Sequence, residues 1–340
     1  MSPAPESVLY VRLPNWIGDV CMSLPSLDAL LATGMPVVVC ARPWARALLA
    51  SYPLQGFISM QSGWFKNAQA LRRHVQSTHG RPRRLGLLLP DSLSSALTFR
   101  AANIPAAGYR DDGRRLLLRW PMRKPASPPH AVASWYGLTR QALAAWRLPT
   151  PDSALPPQLG LRLQAQHHDS AQVALAAHGL SPGGFILIAP TATGLHRGKV
   201  KVWPHFDALT RRLQAAGLTV AMCPPPAEVS AARSNAPTAL CLPALDLGAF
   251  AALASLAALV ICNDSGVSHL AAAVQARQLT LIGVTNAART GPWSSQALCL
   301  GEEGCWPSLD LVLAHAKNTM DGVSAPASAQ APQHLRAETG

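Results

Sequence analysis

The sequence predicts an α/β protein built from two parallel-sheet domains. Three observations carry that expectation. Short apolar runs alternate with stretches of helical periodicity in both halves of the chain. The alternation is interrupted by one proline-rich polar segment, Leu148–Leu159. The 340 residues, 49% of them hydrophobic, suffice for two ordinary cores. Strand–helix alternation is the pattern of βαβ units, whose crossovers make neighbouring strands parallel. A domain usually takes roughly 100–200 residues.

In the first half, Val8–Leu13, Val37–Cys40 and Leu85–Leu89 read as strands, with Gly56–Met60 and Leu116–Arg119 as weaker candidates. Helices are expected at Val20–Leu31, Pro43–Ala50, Lys66–Gln76, Ser92–Ala101 and Ala131–Ala145. In the last of these Trp135, Leu138 and Ala142 recur at helical spacing. Leu148–Leu159 is expected to link the domains, because clustered prolines and polar residues stop regular structure. A helix near Gln164–His178 follows. The alternation then restarts with strands at Phe185–Ala189, Leu218–Cys223, Ala239–Leu242, Leu259–Cys262 and Leu279–Gly283. Helices at Trp203–Ala216 and Leu247–Leu256 separate them. The expected division is residues 1–160, residues 161–323, and a tail 324–340 rich in Ala, Pro, Ser and Gln that is expected to lack structure.

Three polar turns directly after strands carry the chemistry. The first is Pro14-Asn15-Trp16-Ile17-Gly18-Asp19-Val20, in which Gly18 permits a tight or left-handed turn. Asp19 there is a helix cap or a carboxylate able to accept a proton. The second is Lys199-Val200-Lys201-Val202-Trp203-Pro204, where Pro204 suits a first helical turn. Lys201 at that helix start is either a loop lysine or a cation for a departing diphosphate, and Lys199 is its rival. The third is Asn263-Asp264-Ser265-Gly266-Val267-Ser268-His269, which follows Leu259–Cys262 and opens an alanine-rich helix. Unpaired N–H groups and the positive dipole end at such a start receive phosphate oxygens, and Ser265 and Gly266 permit close approach. The bland alternative is an ordinary capped helix, with His269 packed as a structural residue. Glu228, in the loop after Cys223, is a helix-start glutamate or a hydrogen-bond acceptor for a ligand.

Together, these segments resemble glycosyltransferase family 9, the lipopolysaccharide heptosyltransferases. The Gly-Asp turn, the Lys-x-Trp-Pro segment and the Asp-Ser-Gly-x-x-His-Leu-x-Ala-Ala helix start occur in the family's order, over about residues 7–315. Asn15–Asp19 with Met22-Ser23, and Leu89-Pro90-Asp91-Ser92 with Ser95–Leu97, look most like the heptosyltransferase II branch. The resemblance implies the GT-B fold, two Rossmann-like parallel-sheet domains facing an interdomain cleft. It implies an inverting, metal-independent transfer of heptose from ADP-heptose to the inner core of lipopolysaccharide, with no cofactor. In that reading Asp19 is the general base and Lys201 stabilises the leaving diphosphate. Asp264, Ser265, Gly266 and His269 help to hold the donor, and Glu228 takes the ribose. The family usually has Pro-Gly-Ala after the Phe185–Ala189 strand. This chain has Pro190-Thr191-Ala192, so Thr191 is expected to offer the donor a hydroxyl.

Charge divides the chain as the resemblance would have it. The net charge is +12; residues 1–170 hold 19 Lys or Arg against 8 Asp or Glu, and residues 171–340 hold 10 against 9. The excess gathers at Arg72, Arg73, Arg81, Arg83 and Arg84, and again from Arg110 to Lys124. A one-sided field of this kind implies an anionic partner, or simply a solvated face. With the resemblance it implies that Arg110, Arg114 and Arg115 meet a phosphorylated inner-core acceptor, and that the N-terminal half faces the anionic inner membrane. A cytoplasmic, peripheral monomer that binds no nucleic acid is expected. No apolar run spans a bilayer, and Met1–Glu6 lacks the basic-then-apolar pattern of a leader. Seven cysteines without Cys-x-x-Cys spacing argue against a disulfide framework or a zinc site. Two rivals remain open: another nucleotide-sugar enzyme of the same fold, such as a different sugar transferase or an epimerase, and a non-catalytic polyanion-binding protein. A dinucleotide-dependent dehydrogenase is disfavoured, because no Gly-x-Gly-x-x-Gly follows a strand.

Overall fold

A computed structural model describes residues 7–323, apart from 79–81, 128 and 153. The tail 324–340 and Arg81 lie outside the described residues. The chain forms two compact units: Met1–Ala165 with Asp246–Gly248 and Ala288–Thr290, and the remainder. The main division falls at Ala165, five residues beyond the expected 160. Among the described residues of Leu148–Leu159 there is no helix or strand. The end of this segment packs on the first unit, where Leu159 is buried, Tyr52 donates to the Gly160 carbonyl at 3.2 Å and Arg162 pairs with Asp28 at 2.7 Å.

In the first unit six strands, β1 (Ser7–Arg12), β2 (Val37–Ala41), β3 (Gly56–Ser59), β4 (Arg83–Leu88), β5 (Ala106–Tyr109) and β6 (Trp120–Met122), form one parallel sheet in the order β3-β2-β1-β4-β5-β6. Its helices are α1 (Ile17–Met22), α2 (Leu24–Leu31), α3 (Ala45–Leu48), α4 (Trp64–Ser77), α5 (Leu93–Ala101) and α6 (Ala131–Trp146), while α7 (Ala165–Ala176) starts at the boundary and belongs, from Gln166 on, to the second unit. Val8, Tyr10, Val38, Leu88 and Phe99 belong to its core.

The second unit repeats the plan. Strands β7 (Ile186–Ala189), β10 (Val220–Met222), β11 (Leu240–Cys241), β12 (Leu259–Asn263), β13 (Gln278–Leu281) and β14 (Ala297–Leu300) form a parallel sheet in the order β11-β10-β7-β12-β13-β14. A separate hairpin pairs β8 (Leu195–His196) with β9 (Lys199–Val200) through Arg197 and Gly198, both at positive φ as a two-residue hairpin turn requires. The helices are α8 (Phe206–Ala215), α9 (Val229–Asn235), α10 (Leu247–Leu256), α11 (Gly266–Ala273) and α13 (Leu309–Val323), while α12 (Ala287–Thr290), apart from Ala287, is counted with the first unit. Trp203, Phe206, Ile188, Ile261 and Leu281 are among its core residues. Counted from the start of each unit, both sheets have the strand order 3-2-1-4-5-6. That order reverses direction beside the unit's first strand, and ligands of such sheets bind outside the carboxyl ends there.

Four sequence expectations are corrected. The helix expected over Val20–Leu31 is two helices. It begins earlier, at Ile17, and breaks at Ser23 because Pro25 lacks an N–H and crowds the preceding turn. Gly18 lies inside α1 and is not among the residues with positive φ, so it supplies no left-handed turn. The strand expected at Leu116–Arg119 is displaced to Trp120–Met122. Asp112 and Gly113 turn the chain at positive φ, and a 3-10 turn, Arg114–Leu116, follows with Leu116 91% exposed. The helix expected from Trp203 starts at Phe206.

The cysteine thiols are free, and Cys21, Cys40, Cys223 and Cys262 are buried. Burial pushes the Cys21 and Cys40 thiols up to about 12 and that of Cys223 up to about 11, so they behave as small apolar groups. Among the described residues no helix is long and apolar enough to cross a membrane.

Candidate functional site

In the second unit the predicted residues gather at the carboxyl edge of three adjacent strands, β10, β7 and β12. Thr191 follows β7, Glu228 follows β10 and Asp264 follows β12. The edge between β7 and β12 is where the strand order reverses, so the fold itself directs a ligand there.

Asn263 organises this edge. The side chain is fully buried, and its oxygen accepts the Trp203 backbone N–H at 2.8 Å. Its amide nitrogen donates to the carbonyls of Ala189 and Thr191, each at 3.3 Å. One side chain thus ties the ends of β7 and β12 to the Lys-x-Trp-Pro segment. The Trp203 ring is buried too, and its indole N–H donates to the Pro307 carbonyl at 2.8 Å. Trp203 and Pro204 anchor the segment, and α8 begins after His205.

Lys201 is half-buried just before that anchor, and its ammonium donates to the Asp264 carbonyl at 3.3 Å. Lys199 is exposed in the hairpin. The two lysines are thus placed differently: one is drawn to the turn after β12, the other stands in water.

Ser265 is the N-cap of α11, with extended backbone and its hydroxyl accepting the Val267 N–H at 3.4 Å. Gly266 is the first residue of the helix. Asp264 and His269 are both buried beside it, with His Nε2 3.9 Å from the Asp carboxylate. The bland reading of this turn, a capped helix, is therefore correct as far as it goes. The same geometry leaves the start of α11 at the carboxyl edge, where its dipole favours an anion.

Thr191 donates its hydroxyl to the Glu228 carboxylate. Glu228 occupies the position before α9, at a helix start as one reading had it, and makes no side-chain capping bond. Thr191 is not among the positive-φ residues, so the backbone here does not need glycine.

In the first unit, Asp19 is half-buried in the first turn of α1, two residues into the helix. It is not the N-cap; that position is Trp16, which has no side-chain acceptor for the helix. The turn before it is held by Arg12, the last residue of β1. The buried Arg12 guanidinium donates to the carbonyls of Leu13 and, at 3.3 Å, Cys40, and to the Asn15 side chain at 2.5 Å. Burial, with Arg42 nearby, lowers the Arg12 pKa to about 10.

The three arginines expected to meet an acceptor are not alike. Arg115 is exposed and Arg110 half-buried. Arg114 departs from the surface placement that its cluster implied: it is 0% exposed and pairs with Asp91 at 3.0 Å. Asp91 also binds Lys124, which reaches Asp111 at 3.0 Å. The sequence reading assigned no role to Asn263 or to the Asp91 pair. Both stand directly after a predicted strand, at an edge where polar groups must find partners, and that position was the available signal. Among the described residues no three His, Cys, Asp or Glu side chains gather as a metal site would require.

The model of glycosyltransferase family 9 (heptosyltransferase) matches residues 72–316. The lipooligosaccharide heptosyltransferase 2 of Haemophilus influenzae is 27% identical over 304 residues, covering 84% of this chain and 85% of that protein. The lipopolysaccharide heptosyltransferase 2 of Salmonella typhimurium is 28% identical over 320 residues, with 84% and 85% covered. The solved structure of E. coli ADP-heptose LPS heptosyltransferase II superposes with a TM-score of 0.71 at 24% identity, covering 93% of this chain and 99% of that one.

Proposed function

The chain belongs to glycosyltransferase family 9, is a glycosyltransferase of GT-B type, and on that premise we propose that it transfers heptose from ADP-heptose to the inner core of lipopolysaccharide. The observation that carries the proposal is the junction at Asn263, which ties Lys201, Thr191 and the start of α11 to one sheet edge. It has the features a diphosphate needs: a cation, a helix start and hydroxyl groups. The names of the curated relatives supply the sugar and the acceptor class.

In this reading the second unit binds the donor. The start of α11, with Ser265 and Gly266, takes the diphosphate. Lys201 spends one of its three N–H groups on the Asp264 carbonyl and offers the others to phosphate oxygens. Glu228 accepts from the ribose hydroxyls, exchanging its bond with Thr191 for them. Asp264 and His269 shape the turn and meet sugar hydroxyls, since a carboxylate repels phosphate. In the first unit Asp19 takes the proton of the acceptor hydroxyl as its oxygen attacks the anomeric carbon. The bond from that carbon to the diphosphate breaks, the configuration inverts, and ADP leaves with its new charge facing Lys201. No metal is required, because Lys201 and the helix dipole supply the positive field. Arg110 and Arg115 attract the phosphorylated acceptor, while Arg114 sets the loop that carries Arg115. The enzyme works as a monomer at the cytoplasmic face of the inner membrane, and nucleic acid is not a partner.

The experiment is direct: purified protein is incubated with ADP-heptose and a heptose-acceptor lipid, and the product is weighed by mass spectrometry. A gain of one heptose with release of ADP is the expected outcome. Transfer only from a different nucleotide sugar would move the enzyme to another donor within the family. Interconversion of a nucleotide sugar without any acceptor would make it an epimerase.

A further inference from the structure

Arg12 is a buried cation that the transfer chemistry leaves unused. It is the last residue of β1, which lies between β2 and β4, where the strand order of the first sheet reverses. Its neighbours Val11 and Leu13 are apolar and fully buried, and Arg12 itself is 7% exposed. Neutral oxygens receive its guanidinium: the carbonyls of Leu13 and Cys40 and the side chain of Asn15. The Cys40 carbonyl already accepts the Leu13 N–H at 3.1 Å, so β1 and β2 meet there without an arginine. The third partner is different. Asn15 is exposed and belongs to the turn that leads into α1, and its bond to the guanidinium is 2.5 Å long. Helix α1 needs such a hold. It has six residues, too few to be stable by itself. Its N-cap, Trp16, has extended backbone and makes no side-chain bond to the first turn. The far end of α1 is fixed by burial of Val20, Cys21 and Met22. The near end depends on the turn, and Asp19 lies in the first turn.

We propose that Arg12 is a positioning residue for the transfer: through Asn15 it fixes the turn before α1, and so the place of Asp19. The proposal rests on the reading of Asp19 as the base. A guanidinium suits the task because its donors lie in one plane at fixed angles, so one group serves three acceptors. An ammonium does not keep these directions. Burying a cation among neutral groups opposes folding, and an apolar side chain would fill the same space. The arginine therefore answers a need other than core stability, the geometry of the turn it holds. It is still charged at neutral pH, although burial lowers its pKa to about 10. Precision at this point matters, since a shift of about 1 Å near a reacting group lowers a rate by roughly a hundredfold.

The test uses three variants of the full chain. Asn15→Ala deletes the exposed acceptor, Arg12→Lys keeps the charge without the fork, and Arg12→Met keeps only an apolar stem. Hydrogen exchange is read by mass spectrometry on peptides spanning residues 14–22. All three variants should exchange roughly tenfold faster there, while β1 and β4 keep wild-type protection. With ADP-heptose and the acceptor lipid, kcat should fall by roughly tenfold to a hundredfold. The acceptor KM and the calorimetric affinity for ADP-heptose should stay within about twofold of wild type. Added to Asp19→Asn, the Asn15→Ala change should have no further effect, because a turn that only places the base has nothing left to place. A merely structural role would lower both backgrounds alike, and that result would overturn the proposal. Unchanged exchange over residues 14–22, or unchanged kcat, would overturn it too. So would a raised acceptor KM at constant kcat, which would make the turn an acceptor contact. If the Arg12 variants fail to fold, Asn15→Ala still decides, since its side chain is exposed. Wild-type turnover in Asp19→Asn would overturn the base reading and this proposal with it. Lost turnover in Asp19→Asn beside unaffected Arg12 and Asn15 variants overturns this proposal alone. If wild type transfers no sugar, the transferase reading fails, while exchange still decides whether Arg12 fixes the turn.

Discussion

The Trp203 backbone N–H is held by the Asn263 side chain at 2.8 Å, across 60 positions of sequence. Both groups are buried, so neither can turn to water for a replacement partner. Asn263→Ala strands the Trp203 N–H and the two carbonyls that the amide serves. Leaving buried polar groups unpaired costs on the order of 1–3 kcal/mol. The variant should unfold at lower denaturant and bind ADP-heptose more weakly, because Lys201 and Thr191 both lose their anchor. Asn263→Asp keeps an acceptor for Trp203 but loses the donors to Ala189 and Thr191, so it should also be destabilised. Wild-type midpoints for both variants would show that the junction does not matter.

Asp19→Asn should retain donor binding and lose transfer, since an amide takes no proton. Removal of a general base typically costs ~10²–10⁴ in rate. Calorimetry with ADP-heptose and a turnover assay on the same preparation separate the two properties. A folded Asn variant that turns over near the wild-type rate would exclude Asp19 as the base.

Lys201→Ala should lower turnover far more than Lys199→Ala. Lys201 is drawn to the Asp264 carbonyl, while Lys199 is exposed in the hairpin. One preorganised contact to a developing charge is worth on the order of 3 kcal/mol. Equal and mild losses in both variants would reduce Lys201 to a contributor to the general field.

Arg114 and Arg115 should behave oppositely although they are adjacent. Arg114→Gln leaves Asp91 without its buried partner. Breaking a buried pair costs roughly 3–5 kcal/mol, and here less, because Asp91 is part-exposed and Lys124 still binds it. The expected result is a lower melting temperature. Arg115→Gln should leave stability within about 0.5 kcal/mol of wild type and weaken use of the phosphorylated acceptor. A stable Arg114→Gln protein would mean that the pair with Asp91 is not structural.

Activity should survive EDTA. The donor side of the proposed site offers Lys201, a helix start and hydroxyls, which neutralise a diphosphate without a divalent ion. A strict requirement restored by magnesium would transfer that role to a metal and demand a carboxylate ligand.

Much of this was legible in the sequence because it is local. Apolar runs such as Phe185–Ala189 and Leu259–Cys262 mark buried parallel strands whatever their surroundings. The strand at Ala106–Tyr109 was not legible, since Ala-Ala-Gly-Tyr has no apolar or β-branched run, and it forms because β4 and β6 flank it. Pro204 after Trp203 looks like a helix start from composition alone. Only the fold shows that Trp203 is anchored to the distant Asn263 and that the helix starts after His205. Arg114 and Arg115 read as equal cations, and burial against Asp91, 23 positions away, separates them. Side-chain chemistry was readable wherever a turn directly follows a strand. Partnerships across long separations were not, because one chain without its fold does not reveal which polar groups share an edge.

The charge asymmetry supplies the last prediction. Arg110 and Arg115 both belong to the first unit, Arg110 half-buried and Arg115 exposed. Exposed charges act over about one Debye length, ~8 Å at physiological salt, and so mainly on what they touch. If the acceptor is taken by the first unit, Arg110→Glu with Arg115→Glu should raise the KM for a phosphorylated acceptor. Added salt should do the same to wild type. A dephosphorylated acceptor should respond much less to either change, because the field then has less charge to act on. ADP-heptose affinity, set by groups of the second unit, should stay nearly constant in calorimetry throughout. Collapse of donor affinity with acceptor use spared would reverse the assignment and put the donor on the basic unit.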